Sequence, residues 1–266
     1  MPYNRETAKP RWTIEEMKKY RKFCGFDTLL RMINSIDIYF MGKYGETLIF
    51  NERERDEARA LIATLFETGA RVSEVLGQPI PGGLEGLRCR DIRVGENMVN
   101  VIFNIAKRYR KVGEAIKYKA VDGTKLRWIK EDEAKKSGHK YKMYVGFLTK
   151  RVVDIRNVVF PIKEPLTPYI LNWVEVVKKE KGEDAKLFTF HYNRFYRIIK
   201  RAGELIGEDF PPHRLRAERA TCLALNYNFT DHELMEWFSW KTSEVAQTYT
   251  TLAPRYFDKM FKFWEK

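Results

Sequence analysis

Cysteine is scarce: Cys24, Cys89 and Cys222 are odd in number, lie far apart and form no C-x-x-C spacing. That argues against a disulfide framework and against a structural zinc site. The four histidines, His139, His191, His213 and His232, show no ligand spacing either. No apolar run reaches the roughly 18–20 residues that a membrane span requires. Met1 to Pro10 carries charges with no apolar stretch behind them, so it does not read as a secretory signal. H-E-x-x-H, the Walker-type G-x-x-x-x-G-K-[ST] and a G-x-G-x-x-G after a strand are all missing, so neither a metallohydrolase nor a nucleotide-driven enzyme is suggested. The expectation is an intracellular, cytoplasmic protein with no membrane association, no metal and no cofactor.

What the chain does have is a core and a surplus of positive charge. Hydrophobic residues make up 44% of its 266 residues, which excludes general disorder, and the net charge is +13. Most of that excess lies in one segment: Lys107 to Arg151 holds fifteen Lys/Arg against five Asp/Glu, with Tyr109, Tyr118, Trp128, Tyr141 and Tyr144 among them. Basic residues mixed with aromatics suit a strand-and-loop excursion lying along phosphates, and suit a solvated surface loop equally well. Thr13 and Glu16 have capping-box spacing. Apolar residues at helical intervals predict helices over Phe26 to Met41, from Glu52 through Phe66, over Arg71 to Leu76, Pro165 to Lys179, Tyr192 to Ile206 and Leu215 to Tyr227. Thr230 with Glu233 forms a second capping box, opening Asp231 to Phe238, and a last helix carries Tyr249. Met98 to Ile105, Met143 to Leu148 and Asn157 to Ile162 read as strands, with a turn around Val152 to Arg156. The fold class is mainly α (α+β), with a small three-stranded antiparallel sheet.

Three separated pieces carry chemistry: T-G-A-R-V-S-E around Arg71, P-P-H-R-L-R around His213 and Arg216, and a tyrosine near the C-terminus, Tyr249. Breaking a DNA phosphodiester without a metal requires charge opposite the non-bridging oxygens of a pentacoordinate transition state, and two guanidiniums supply it with bidentate hydrogen bonds. A tyrosine nucleophile, with a reference pKa near 10, needs a cationic setting or a base. A lysine near the phosphate is a reasonable acid for the departing sugar oxygen. Each part has an ordinary explanation alone: a surface ion pair for Arg71, a helix cap for His213, core packing for Trp240, and a structural role for any one of 14 tyrosines. Their conjunction in order is what carries weight.

These pieces resemble the tyrosine recombinase (phage integrase) family. T-G-A-R-V-S-E-V-L-G is similar to its first box and implies Arg71 as first arginine with Glu74 as acidic partner. H-R-L-R-A is similar to the second box, giving His213 and Arg216. In F-S-W-K-T-S-E-V-A-Q-T-Y-T, Trp240 stands nine residues before Tyr249, the implied nucleophile. L-T-K-R-V-V-D-I-R-N-V-V-F-P-I resembles the family's lysine hairpin and nominates Lys150, with Lys107 as the rival. Where many members have a second histidine, this chain has Trp240, whose indole donates but cannot act as acid or base.

The resemblance implies a site-specific recombinase, a mobile-element or viral integrase, forming a 3′-phosphotyrosine on double-stranded DNA as a tetramer. It implies a catalytic domain over residues 51–266 behind a short basic helical segment, 1–50. Residues 108–142 form a basic insertion, and the apolar tail 255–266 docks one protomer on the next. Lys107, Arg108, Arg110, Lys111, Arg151 and Arg214 are the expected DNA contacts. A type IB topoisomerase and a catalytically inactive DNA-binding regulator are the alternatives.

Overall fold

In the computed structural model the described residues are 23–78, 84–105, 109–122, 125–129, 131–136, 141–151 and 154–250. The Thr13 capping box, Lys107, Arg108 and the tail 255–266 lie outside them. By internal contacts the chain divides into two units, residues 105–154 forming the second and the remainder the first.

The first unit opens with helix α1 (Phe26–Asn34). The predicted helix to Met41 stops early: Ser35 caps it, and Arg59 takes the Ile33 and Ile36 carbonyls that a further turn would have used. Phe40 then pairs with Leu48 through the backbone, closing a compact loop. Helix α2 (Glu52–Thr68) starts where the Asn51 side chain accepts the Glu54 N–H at 2.9 Å, an N-cap that satisfies an orphan donor. It runs through the middle of the core, with Leu61, Ile62, Leu65 and Phe66 fully buried. Gly69 ends it in the left-handed region (φ 59), and a methyl there would overlap the Phe238 ring. A short helix, α3 (Val72–Leu76), follows with Arg71 at its N-cap.

Strands β1 (Ile92–Val94) and β2 (Met98–Ile105) pair antiparallel, Ile92 opposite Val101. The second unit holds β3 (Tyr109–Asp122), β4 (Lys125–Ile129), helix α4 (Glu131–Lys136) and β5 (Tyr141–Arg151). They form a sheet of their own, in the order β4-β3-β5 and antiparallel throughout, where the sequence had suggested a single sheet. The chain then enters β6 (Asp154–Pro161), which completes the small sheet β1-β2-β6 of the first unit. Arg156, expected in a turn, is therefore a strand residue. It alternates inward with Val158 and Phe160 in a half-buried strand pattern.

Three longer helices and two of eight residues complete the described part of the first unit. They are α5 (Thr167–Lys181), α6 (Tyr192–Leu205), α7 (Pro212–Asn226), α8 (Asp231–Phe238) and α9 (Ser243–Thr250). α7 begins earlier than the pattern suggested because Pro212 sits at its first position, where the missing N–H costs nothing. Thr230 and Glu233 close the expected capping box at α8. The main core draws on α1, α2, the small sheet and α5 to α7, and it includes Leu29, Ile33, Phe40 and Leu48, so residues 23–50 share it with the rest of the unit. A second cluster around Leu223, Leu234, Phe238 and Ala246 joins α7, α8 and α9, with Trp240 and Tyr249 packed on it. Among the described residues no helix is long and apolar enough to cross a membrane.

Candidate active site

The αL turn at Gly69 reverses the chain after α2 and puts Arg71 at the start of α3 with Glu74 one turn on. Glu74 is almost fully buried and answers Arg71 twice: Oε1 accepts the guanidinium at 2.7 Å and Oε2 the backbone N–H at 2.9 Å. Arg156, itself buried on β6, gives Nη2 to the same Oε2 at 3.3 Å and Nη1 to the Trp237 carbonyl at 3.0 Å. Its guanidinium lies over the Phe103 ring, 5.0 Å from the centroid. Burial pushes Glu74 up, but Arg156, the Arg71 N–H, Arg71 and Arg216 outweigh it and hold the carboxyl below its ordinary range.

Arg216 comes from α7 and is 7% exposed. It donates to the Gly69 carbonyl and, at 3.0 Å, to that of Phe238, and it stacks over the Phe238 and Trp240 rings. Burial, then the charges of Arg156 and Arg71, pull its pKa down to about 9, with Glu74 and Tyr249 working the other way. The adjacent carbonyls of Trp237 and Phe238, orphans at the C-terminus of α8, are thus each held by a buried guanidinium, at the end of the helix dipole that favours cations. Ser239 leaves α8 in the left-handed conformation (φ 51), and the Trp240 N–H returns to Met235 at 2.9 Å. Trp240 stacks with two rings, Phe238 at 4.5 Å and, nearly parallel, Tyr249 at 5.6 Å. Tyr249 is half-buried on α9, and the neighbouring Thr250 hydroxyl is hydrogen-bonded to Asp231 at the start of α8.

Arg71, Glu74, Arg216, Trp240 and Tyr249, widely separated in sequence, thus converge with Arg156 in one region. Three arginines meet one carboxylate, and Arg71 keeps 28% of its side chain exposed. Mutual repulsion of this kind is relieved by an anion placed among the guanidiniums, and phosphate is the group a forked donor set fits best.

No protein-family model matches the chain. Over 76 residues it is 38% identical to tyrosine recombinase XerA of Saccharolobus solfataricus, a match covering 29% of this chain and 25% of that protein. Its fold aligns with the crystal structure of XerH site-specific recombinase bound to palindromic difH substrate, a post-cleavage complex, at a TM-score of 0.52 and 15% identity. That alignment covers 96% of this chain and 56% of the other, so the chain spans about half the length of the solved recombinase. The chain shares the fold of that site-specific recombinase.

Within this recombinase fold the remaining candidates divide. His213 is exposed on the first turn of α7, one turn before Arg216. Arg214 is committed to its own unit: it pairs with Glu208 and Glu218, both at 2.9 Å, and lies over Phe210 at 4.2 Å, so contact with DNA requires giving up these partners. Glu218 in turn accepts the Cys24 N–H, tying α7 to the entry of α1. Lys150 stands on β5 of the second unit at the register position opposite Arg110, with Lys111 opposite Thr149 and Arg151 opposite Tyr109. Among the described residues no group of three or more His, Cys, Asp or Glu is placed to hold a metal ion.

Sequence reasoning missed Arg156 and, behind Arg216 on the same helix, Arg219. Arg219 is fully buried between Glu67 (3.1 Å) and Glu164 (3.3 Å), and Tyr227 donates to Glu164 at 2.8 Å. Phe66, Trp237 and Tyr227 surround its guanidinium. The Glu67 carboxyl also accepts the Leu166 N–H, and the Trp237 indole donates to Thr68, so this network fixes the end of α2 against α7 and α8.

Proposed function

We propose that this chain is a tyrosine recombinase that cleaves and rejoins DNA at specific sites, with Tyr249 as nucleophile. The observation that carries the reading is a phenol stacked on Trp240 beside a cluster of three arginines that one buried glutamate only partly neutralises. Tyr249 Oη attacks the scissile phosphorus, the bond to the 5′ oxygen breaks, and a 3′-phosphotyrosyl bond and a free 5′-hydroxyl result. Arg71 and Arg216 hydrogen-bond the non-bridging oxygens as charge builds there. His213 takes the phenol proton, Lys150 supplies the proton to the departing oxygen, and the Trp240 indole donates to the phosphate. One phosphodiester is exchanged for another, so the bond energy is kept in the phosphotyrosine and the step draws on neither ATP nor a metal. A hydroxyl from a second strand reverses the attack, and four protomers on two duplexes pass through a four-way junction. Integration of a mobile element or viral genome is the use this chemistry suits.

The test is to incubate the protein with a pool of duplexes randomised around a nick, denature, and recover protein-linked strands. Enrichment of one sequence in covalent adducts, lost in Tyr249→Phe with DNA binding retained, is the expected result. Adducts that persist in Tyr249→Phe overturn the nucleophile. Relaxation of supercoiled plasmid regardless of sequence marks a topoisomerase instead, and DNA binding without any adduct marks a regulator.

A further inference from the structure

We propose that Arg156, a strand residue outside the sequence boxes, is a positioning residue that couples the Arg71–Glu74 pair to the segment bearing Trp240 and Tyr249. The inference rests on the reading of Tyr249 as the nucleophile. Glu74 has two carboxylate oxygens and several donors: Arg71 approaches both oxygens from its own helix, and Arg156 adds a bond to Oε2 from β6. Arg71 alone is a partly exposed, long side chain, and a single partner of that kind leaves a buried carboxylate free to change rotamer. The second, buried guanidinium fixes the carboxylate, and the carboxylate fixes Arg71.

The other half of the fork does different work. Nη1 of Arg156 holds the Trp237 carbonyl, adjacent to the Phe238 carbonyl that Arg216 holds. The C-terminus of α8 is therefore fastened at two successive peptides, immediately before the turn that delivers Trp240 to the Tyr249 ring. A planar guanidinium seated on Phe103 spans a carboxylate and a carbonyl at a set separation, which a lysine ammonium on a flexible stem does not reproduce. Arg156 is 3% exposed and its guanidinium bonds the Glu74 carboxylate and the Trp237 carbonyl, so its influence on the phosphate runs through Glu74 and the α8 terminus.

The experiment compares Arg156→Gln and Arg156→Lys with the wild-type protein on the nicked duplex pool, measuring DNA affinity, single-turnover adduct formation at saturating DNA, and its pH profile. Arg156→Gln is expected to slow adduct formation about 10- to 100-fold with affinity changed less than about threefold, as for geometry lost at a reacting centre. Its acid limb is expected to move to higher pH, because Glu74 keeps only Arg71 and Arg216 to oppose burial and is protonated sooner. Arg156→Lys retains the charge: the acid limb stays in place and the rate falls only severalfold, a partial rescue. If the neutral variant fails to fold, the lysine variant decides alone, slower adduct formation at unchanged affinity supporting the proposal and wild-type kinetics overturning it. Wild-type kinetics and pH profile in both variants, or a loss confined to thermal stability, also overturn it. Where wild-type protein forms adducts and the Arg156 variants match it, only this inference falls. Where wild-type protein forms none, the nucleophile reading falls with it.

Discussion

Two arginines three residues apart on α7 are both buried, yet they sit in opposite electrostatic company. Arg219 lies between two carboxylates, Glu67 and Glu164, with three aromatic rings around it. Arg216 lies beside two further arginines and is offset by one carboxylate. The first cluster is closed on itself, with no positive charge left over for an anion. The second is left cationic where Arg71 reaches the surface. A buried ion pair is weak evidence for stability in general, but removing one partner strands the other, and that asymmetry makes the comparison testable.

The largest expected effect is on chemistry. Arg216→Ala should reduce covalent adduct formation on the order of 10²- to 10³-fold, as for loss of a transition-state donor. Its thermodynamic stability should fall far less than that of Arg219→Ala, since losing Arg216 also relieves repulsion with Arg156 and Arg71; equal losses of stability in denaturant melts would erase the distinction. Arg219→Ala should cost about 3–5 kcal/mol by leaving Glu67 and Glu164 buried without their cation. Adduct formation by whatever fraction remains folded should stay close to normal.

Gly69→Ala probes the ground between the clusters, because Gly69 gives its carbonyl to Arg216 from the end of the helix that carries Glu67. A methyl at positive φ and against Phe238 should lower stability by about 1–3 kcal/mol and slow adduct formation together, read from unfolding curves and single-turnover assays.

The smallest effect is a pH dependence. Burial, opposed by Arg219 and reinforced by Glu164, pushes the Glu67 carboxyl up to about 7 from 4.5. A carboxyl raised on folding adds stability that is full below about pH 4.5 and lost as pH rises through about 7. Glu67→Gln, which cannot ionise, should flatten the stability profile across that window. An unchanged profile would mean that Arg219 holds Glu67 ionised throughout.

The helices were legible because long amphipathic stripes are redundant signals. α2, α5, α6 and α8 fall close to their predicted spans, and Thr230 and Glu233 form the cap that their spacing suggested. The convergence of Arg71, Glu74, Arg216, Trp240 and Tyr249 was anticipated from order and spacing, though no single residue announced it. β1 escaped notice because three residues are too few to show a period. β3 and β4 were hidden by frequent Lys and Arg, which break the apolar alternation of a strand. Arg156 was misplaced because it was read as turn polarity, although it shares a period of two with Val158 and Phe160. Glu67, Glu164 and Arg219 were invisible for a related reason: they occupy positions that the stripe assigns to apolar side chains, and only their mutual pairing makes those positions tenable.

The fastening of α8 at Trp237 and Phe238 also limits how the C-terminal segment travels. With those two peptides clamped, rotation of α9 has its pivot at Ser239, downstream of the clamps, where the backbone already holds a left-handed bend. Swinging Tyr249 away from the indole then requires release of the Thr250–Asp231 latch and withdrawal of Ala246 from the cluster it shares with Leu234 and Phe238.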